Sequence, residues 1–221
     1  MTSVKPIKIW STDGPNPLKV AMVAAELNLH HEIIHIGFDK AKDPEYLAIN
    51  PNGRLPAIYD PNTDLTLWES GAIIEYLVEN YDHDHKLSHA IGTPSAYHSK
   101  QWLYFQASGQ GPYYGQAVWF KKYHPEHLPS ALHRYVAEMK RVTSVLEGHL
   151  KKQRARYRSE PWLAGDRMTY ADIAFIPYQL VVPKILNQEL KPYDLEQFTE
   201  VSGWMNRLTG REAIKKVLPT T

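Results

Sequence analysis

Residues 52–59 read NGRLPAIY, and the fold depends on how the proline inside that run is understood. Leu55, Ala57, Ile58 and Tyr59 alternate and branch like a strand, yet Pro56 cannot donate a ladder hydrogen bond. A proline so placed marks an edge, a bulge or a cis peptide bond. Downstream, DPNTD (Asp60 to Asp64) is dense in turn formers, so LPAIY and the following LTLW are expected to pair as a hairpin.

On either side of the hairpin, strand and helix patterns alternate. PIKIW, Pro6 to Trp10, reads as a short strand followed by the turn-rich STDGPNP. Asn16 then reads as an N-cap before Pro17, opening a helix whose apolar face carries Leu18, Val20, Ala21, Val23, Ala24 and Leu27. Glu32 to Phe38 is a second strand, and DPEYLAINPNGR is a short helix or turn. After LTLW, Ile73, Ile74, Leu77 and Val78 share one helix face, with Ser70 as the expected N-cap. The order β-α-β-α-β-β-α predicts a small mixed sheet covered by helices.

Beyond about residue 90 strand patterns vanish. Tyr97 to Phe120 and Ser130 to Arg158 read as long helices, the second with Leu132, Val136, Met139, Val142, Val145 and Leu146 on its apolar face. Thr169 followed by Asp172 gives a capping-box start to an apolar helix, and Phe198 to Val217 is helical again. The expected organisation is an α/β domain over 1–82, a linker over 83–90 and an all-α domain over 91–221.

Bulk composition narrows the function. The 221 residues are 43% hydrophobic, enough for a sizeable core, and 25 basic against 24 acidic residues leave a net charge of +1. No global field favours nucleic acid or an anionic membrane. Cysteine is absent, so disulfides, thiolate metal sites and a protein thiol nucleophile are all excluded. No run approaches a membrane span and MTSVKPIKIW lacks a signal-peptide core, which predicts a soluble, cytoplasmic protein. The histidines of DHDHKLSH, Asp82 to His89, lie in a polar stretch without periodicity and read as a solvated linker, so no metal is expected.

Three local features have ordinary structural readings when taken singly: Asn16 as a cap, Leu55 and Pro56 as an edge strand, Glu69 and Ser70 as a helix start. Together with NPNGRLPAI and WESGAI they resemble the thioredoxin-like half of a cytosolic glutathione transferase, and GDRMTYADIAFIP resembles its helical half. The resemblance runs from about Lys5 to Leu218. It is greatest to the fungal group related to the yeast nitrogen-regulator prion protein and to bacterial Nu-class transferases, through GPNPLKVAMV, LWESGAIIEYL and WLYFQASGQGPYYGQAVWF.

The resemblance implies a thioredoxin-like domain followed by an all-helical one, with glutathione as co-substrate. It makes Pro56 a cis-proline that holds Leu55 N–H and C=O toward the cysteinyl part of glutathione. Glu69 and Ser70 would take the γ-glutamyl end, and Arg54 the glycyl carboxylate. Asn16 becomes the catalytic candidate, a donor to the thiolate, with Ser11 and Thr12 as alternatives. Gly14 stands where the bacterial enzymes carry a hydroxyl residue, and Ala41 where they carry a polar contact. Arg134 matches an arginine that reaches glutathione in a neighbouring subunit, which implies a homodimer. The second substrate, a hydrophobic or aromatic electrophile, is expected between the domains against Phe105, Gln106, Tyr113, Tyr114 and Trp119. The implied activity is glutathione transfer, with peroxidase or disulfide reductase activity as further outputs. A regulatory protein binding a transcription factor, or a non-catalytic carrier of glutathione conjugates, is the alternative.

Overall fold

Ile7–Ser11 (β1) is the inner strand on which the first unit is built, because Ile7 and Ile9 both point into the core. It pairs in parallel with β2 (His31–His35), and the crossover that a parallel pair requires is α1 (Pro15–Glu26). On its other side β1 pairs antiparallel with β3 (Ala57–Asp60), which continues into β4 (Leu65–Trp68). The sheet order is β2-β1-β3-β4, and α3 (Ser70–Tyr81) follows the hairpin. Val20, Met22 and Val23 of α1 and Ile73, Ile74 and Leu77 of α3 are fully buried with Ile58. This computed structural model describes residues 4–186 and 197–218.

The hairpin forms as expected, but its first strand begins at Ala57. Leu55 and Pro56 stay outside the ladder, with a cis bond between them. Strand β2 stops at His35, short of the expected Phe38: Ile36 N–H still bonds Ser11 C=O at 3.0 Å, and then Gly37 opens a turn closed by Lys40 N–H at 3.1 Å. Short α2 (Pro44–Leu47) leads into the NPNGR loop.

Asp60 pins the hairpin to α3. Its carboxylate accepts from Asn62 N–H at 2.8 Å, from the Tyr76 hydroxyl at 2.7 Å and from the Tyr81 hydroxyl. The stretch expected to be a solvated linker is partly closed: the buried Asp82 carboxylate accepts from Lys86 N–H, Leu87 N–H and the Ser88 hydroxyl. Three donors on one carboxylate turn a polar stretch into a packed loop, while His83 to Lys86 remain exposed.

Two compact units result, Met1–Ser88 with Gly210–Thr221, and His89–Thr209. The chain returns to the first unit for α9 (Glu212–Val217), which packs on α1, and Arg211 grips Glu26 through two bonds of 2.6 and 2.7 Å. The continuous helix expected over Phe198 to Val217 is therefore two, α8 (Thr199–Thr209) and α9, separated at Gly210 and Arg211.

The second unit is helical among its described residues. Thr93 accepts from Ala96 N–H and starts α4 (Pro94–Phe105) before the expected Tyr97, and a π-helical turn, Gln106–Gln110, joins it to α5 (Gly111–Lys122). α6 (Pro129–Tyr157) buries Leu132, Met139, Val142, Leu146 and Leu150. Val145, expected on that face, is 40% exposed, since one residue before Leu146 it lies about 100° around the helix. α7 (Tyr170–Ile185) starts at the anticipated capping box, in which Thr169 and Asp172 satisfy each other's backbone N–H groups.

Candidate active site

Helix α1 begins two residues earlier than the sequence predicts, at Pro15 and not Pro17. Pro15 and Pro17 both fit the first turn, where a missing N–H leaves no bond unmade, so Gly14 takes the N-cap position. Asn16 is therefore inside the first turn, and its side chain is not spent on capping. The Ser70 hydroxyl donates a long 3.5 Å bond to Asn16 Oδ1, and the Asn16 amide NH₂ has no hydrogen-bond partner among the described residues.

The start of α3 shows a similar shift. Glu69, not Ser70, holds the N-cap position, and it does so with φ of 73° and no side-chain cap. A non-glycine residue in that region stores backbone strain of about 1–3 kcal/mol, which is characteristic of functional turns. Ser70 is the first helical residue and is buried, while Glu69 is exposed.

The NPNGR loop is fixed by side chains. Asn50 Oδ1 accepts from Asn52 N–H at 3.0 Å, and Asn50 Nδ2 donates to Arg54 C=O at 2.6 Å. The Tyr46 hydroxyl donates to the same carbonyl at 2.8 Å. Gly53 has φ of +59°, and a Cβ there would stand 2.8 Å from Ala41 C=O, so only glycine fits. With the Arg54 carbonyl doubly held and Pro56 cis, the Leu55 N–H and C=O are left without a hydrogen-bond partner among the described residues.

Asn16, Asn50, Asn52, Arg54, Leu55, Pro56, Glu69 and Ser70 line one open depression of about 90 Å³ within the first unit. Behind it, Lys19 of α1 is only 1% exposed; burial lowers its pKa from 10.5 to about 7, against the opposing pull of the Glu69 carboxylate. The depression offers a cation, an acid, two helix starts and an unpaired stretch of backbone. Such a surface suits a short extended zwitterionic peptide. Among the described residues no cluster of three or more His, Asp or Glu forms a metal site.

Two residue models of one family match the chain. The N-terminal domain of glutathione S-transferase matches residues 5–79, and the C-terminal domain of glutathione S-transferase matches residues 112–212. The chain belongs to the glutathione S-transferase family. A glutathione S-transferase-like protein, gedE, of Aspergillus terreus is 55% identical over 99% of this chain and 96% of its own length. The glutathione transferase URE2P6 of Phanerochaete chrysosporium, solved with oxidized glutathione, is 46% identical and superposes with a TM-score of 0.84 over 98% of this chain and 96% of that one. Ure2p solved with glutathione is 33% identical, with a TM-score of 0.89 over 99% of this chain and all of that one, 100%. The thioredoxin-like sheet followed by a helical unit is the fold this family shares.

Of the residues singled out in the sequence, Asn16, Arg54, Leu55, Pro56, Glu69 and Ser70 line this one depression. Ser11, an alternative to Asn16, is buried and gives its hydroxyl to Thr12 C=O at 3.2 Å. Asn50, Asn52 and Lys19 were not anticipated. The doublet of asparagines around Pro51 is the signal for the first two, since an Asn that bonds the backbone two residues on makes an Asx turn. For Lys19 the signal is a lone charge inside the apolar run PLKVAMVAA.

The residues expected to line a second-substrate pocket are in the helical unit and line no part of this depression. Gln106 is buried, its amide bonded to Gln110 Oε1 at 3.1 Å, and the buried Tyr114 hydroxyl meets Thr143 Oγ1 at 3.0 Å. Their polar ends are bonded inside the helical core. Phe105 packs on Trp102 and Phe175, Tyr113 lies beside Tyr135, and Trp119 is 48% exposed next to Tyr123. Arg134 donates to Glu138 one turn along α6, and Arg141 donates to the same carboxylate at 2.7 Å.

Proposed function

We propose that this chain binds glutathione in the depression between Asn16, Leu55 and Ser70 and activates its thiol for transfer to an electrophile in the cytoplasm. The observation that carries the reading is a Leu55 backbone unpaired among the described residues, beside two helix starts whose N-cap residues make no side-chain cap. Leu55 N–H and C=O pair with the cysteinyl residue as a strand edge would. The Ser70 hydroxyl and N–H receive the γ-glutamyl carboxylate, Glu69 its ammonium, and Arg54 the glycyl carboxylate.

The thiol then lies at the start of α1. A free thiol has a pKa of about 8.5, and a donor together with the positive helix end favours its thiolate. The unspent Asn16 NH₂ is that donor. An amide takes no proton at this pH, so the proton leaves to solvent and Asn16 stabilises the thiolate without acting as base. The sulfur lone pair forms a bond to an electrophilic carbon, and the leaving group departs with the electrons of its own bond. Attack of the same thiolate on a peroxide oxygen breaks the O–O bond, releases the alcohol and leaves a sulfenic acid that a second glutathione converts to the disulfide and water. Attack on a disulfide sulfur breaks the S–S bond, releases one thiolate and leaves a mixed disulfide.

A second reading, a regulatory protein that keeps the site without turnover, draws on the likeness to Ure2p. Titration calorimetry with glutathione and glutathione disulfide, run beside Ser70→Ala, separates the two when followed by a chlorodinitrobenzene assay. Saturable binding that weakens about 10-fold or more in Ser70→Ala is expected, the size of a lost bond to a charged group. Turnover that falls in Asn16→Ala completes the enzyme reading; binding without turnover favours the regulator or carrier; no binding to either ligand rejects the site.

A further inference from the structure

Phe38 is 70% exposed, an unusual position for a large aromatic ring. It is presented by the Gly37–Lys40 turn, which follows directly after Ile36 N–H bonds Ser11 C=O. Because β1 and β2 run in parallel, the Gly37–Lys40 turn and the Thr12–Gly14 loop leave the sheet at the same edge. There the ring reaches the start of α1: a Cβ at Gly14 would lie 3.4 Å from Phe38 Cζ, 3.5 Å from the Thr12 methyl and 3.8 Å from Pro17 Cδ. Gly14 is the N-cap of the helix whose second residue is Asn16.

Three apolar groups, the Phe38 ring, the Thr12 methyl and the Pro17 ring, thus surround the bare Gly14 next to the proposed sulfur position. The depression itself is lined by polar residues apart from Leu55 and Pro56, so it offers little to whatever the sulfur carries. We infer that Phe38 is a specificity-determining residue whose exposed face packs against the substituent on the glutathione sulfur, selecting planar aromatic electrophiles and their conjugates. This inference rests on the proposed glutathione site. Even a Cβ at Gly14 would meet the ring only at ordinary contact distance, so the ring stands directly beside the helix start, and an aromatic substituent gains from a second aromatic by offset or edge contact.

The test compares glutathione with S-benzylglutathione by titration calorimetry on the intact protein, as parent, Phe38→Ala and Phe38→Tyr. In the parent the benzyl conjugate binds more tightly than glutathione. Phe38→Ala is expected to cut that preference about 3- to 10-fold, the size of one aromatic contact, while glutathione affinity changes less than about twofold. Phe38→Tyr keeps the preference. An unchanged preference in Phe38→Ala, or an equal loss of both ligands, overturns the role of Phe38 and leaves the glutathione site standing. Failure of the parent to bind plain glutathione overturns both, and the two failures are distinct on the same thermograms.

Discussion

Helices α7 and α3 start in opposite ways. At α7 the chain supplies its own anion: Asp172, wholly buried, accepts from Leu163 N–H and Trp204 Nε1–H at 2.9 Å each, from Thr169 N–H at 2.8 Å and from the Thr169 hydroxyl at 3.0 Å. At α3 the capping position is held by a strained Glu69 with no side-chain cap, and the neighbouring Leu55 backbone is also unpaired among the described residues. Both ends carry the same positive dipole and free N–H groups. One is closed for stability and the other is left open, and the difference marks which of them is available to a ligand.

Removing the anion from α7 is the largest way to test this contrast. Asp172→Ala strands several buried donors at once, and a loss of about 3–5 kcal/mol is expected, a fall in Tm on the order of 10 °C. Urea denaturation reads it directly. A loss under about 1 kcal/mol would mean the filled end is no more important to the fold than the open one.

The same contrast explains what was legible in the sequence. Thr169 and Asp172 form a local box, so their spacing alone reveals it, but the Leu163 and Trp204 donors come from 9 and 32 residues away and leave no pattern. The strand and helix order of the first unit follows from periodicity, and the cis Leu55–Pro56 bond from family resemblance. The observed N-caps lie two residues before the expected Asn16 and one before the expected Ser70, because GPNPL permits a proline first turn from either Pro15 or Pro17 and a positive φ at Glu69 has no compositional mark. For Gln106 and Tyr114 the sequence shows the residue types, and only three-dimensional packing shows their partners Gln110 and Thr143.

Lys19 sharpens the comparison from the side of charge. A buried lysine whose pKa falls from 10.5 in the unfolded chain to about 7 binds fewer protons when folded between those values. Stability therefore rises with pH across that window, by up to about 1.4 kcal/mol per pH unit, and the slope disappears below pH of roughly 7. Lys19→Met should lose the slope between pH ~7 and ~9, measured by urea denaturation at each pH. Parallel curves for parent and variant would show that Lys19 keeps its ordinary titration.

The loop before the open end gives a smaller effect. Asn50→Ala removes the 2.6 Å bond to Arg54 C=O and the 3.0 Å bond from Asn52 N–H. About 1–2 kcal/mol of stability is expected to go, with a parallel weakening of glutathione binding as Leu55 loses its fixed presentation. Weaker stability with unchanged affinity would separate the loop from the ligand.

Arg134 should have the smallest effect of all. Its guanidinium is held by Glu138 on the same helix, and Arg141 shares that carboxylate, so α6 keeps an ion pair after Arg134→Ala. To reach a glutathione in a second subunit, Arg134 would have to give up Glu138, and an exchange of one carboxylate for another by a largely exposed guanidinium gains little. Glutathione affinity is expected to change less than about threefold. A loss of tenfold or more that appears only at protein concentrations supporting a dimer would instead assign Arg134 to the partner's ligand, and would make the open end at α3 a site completed by two chains.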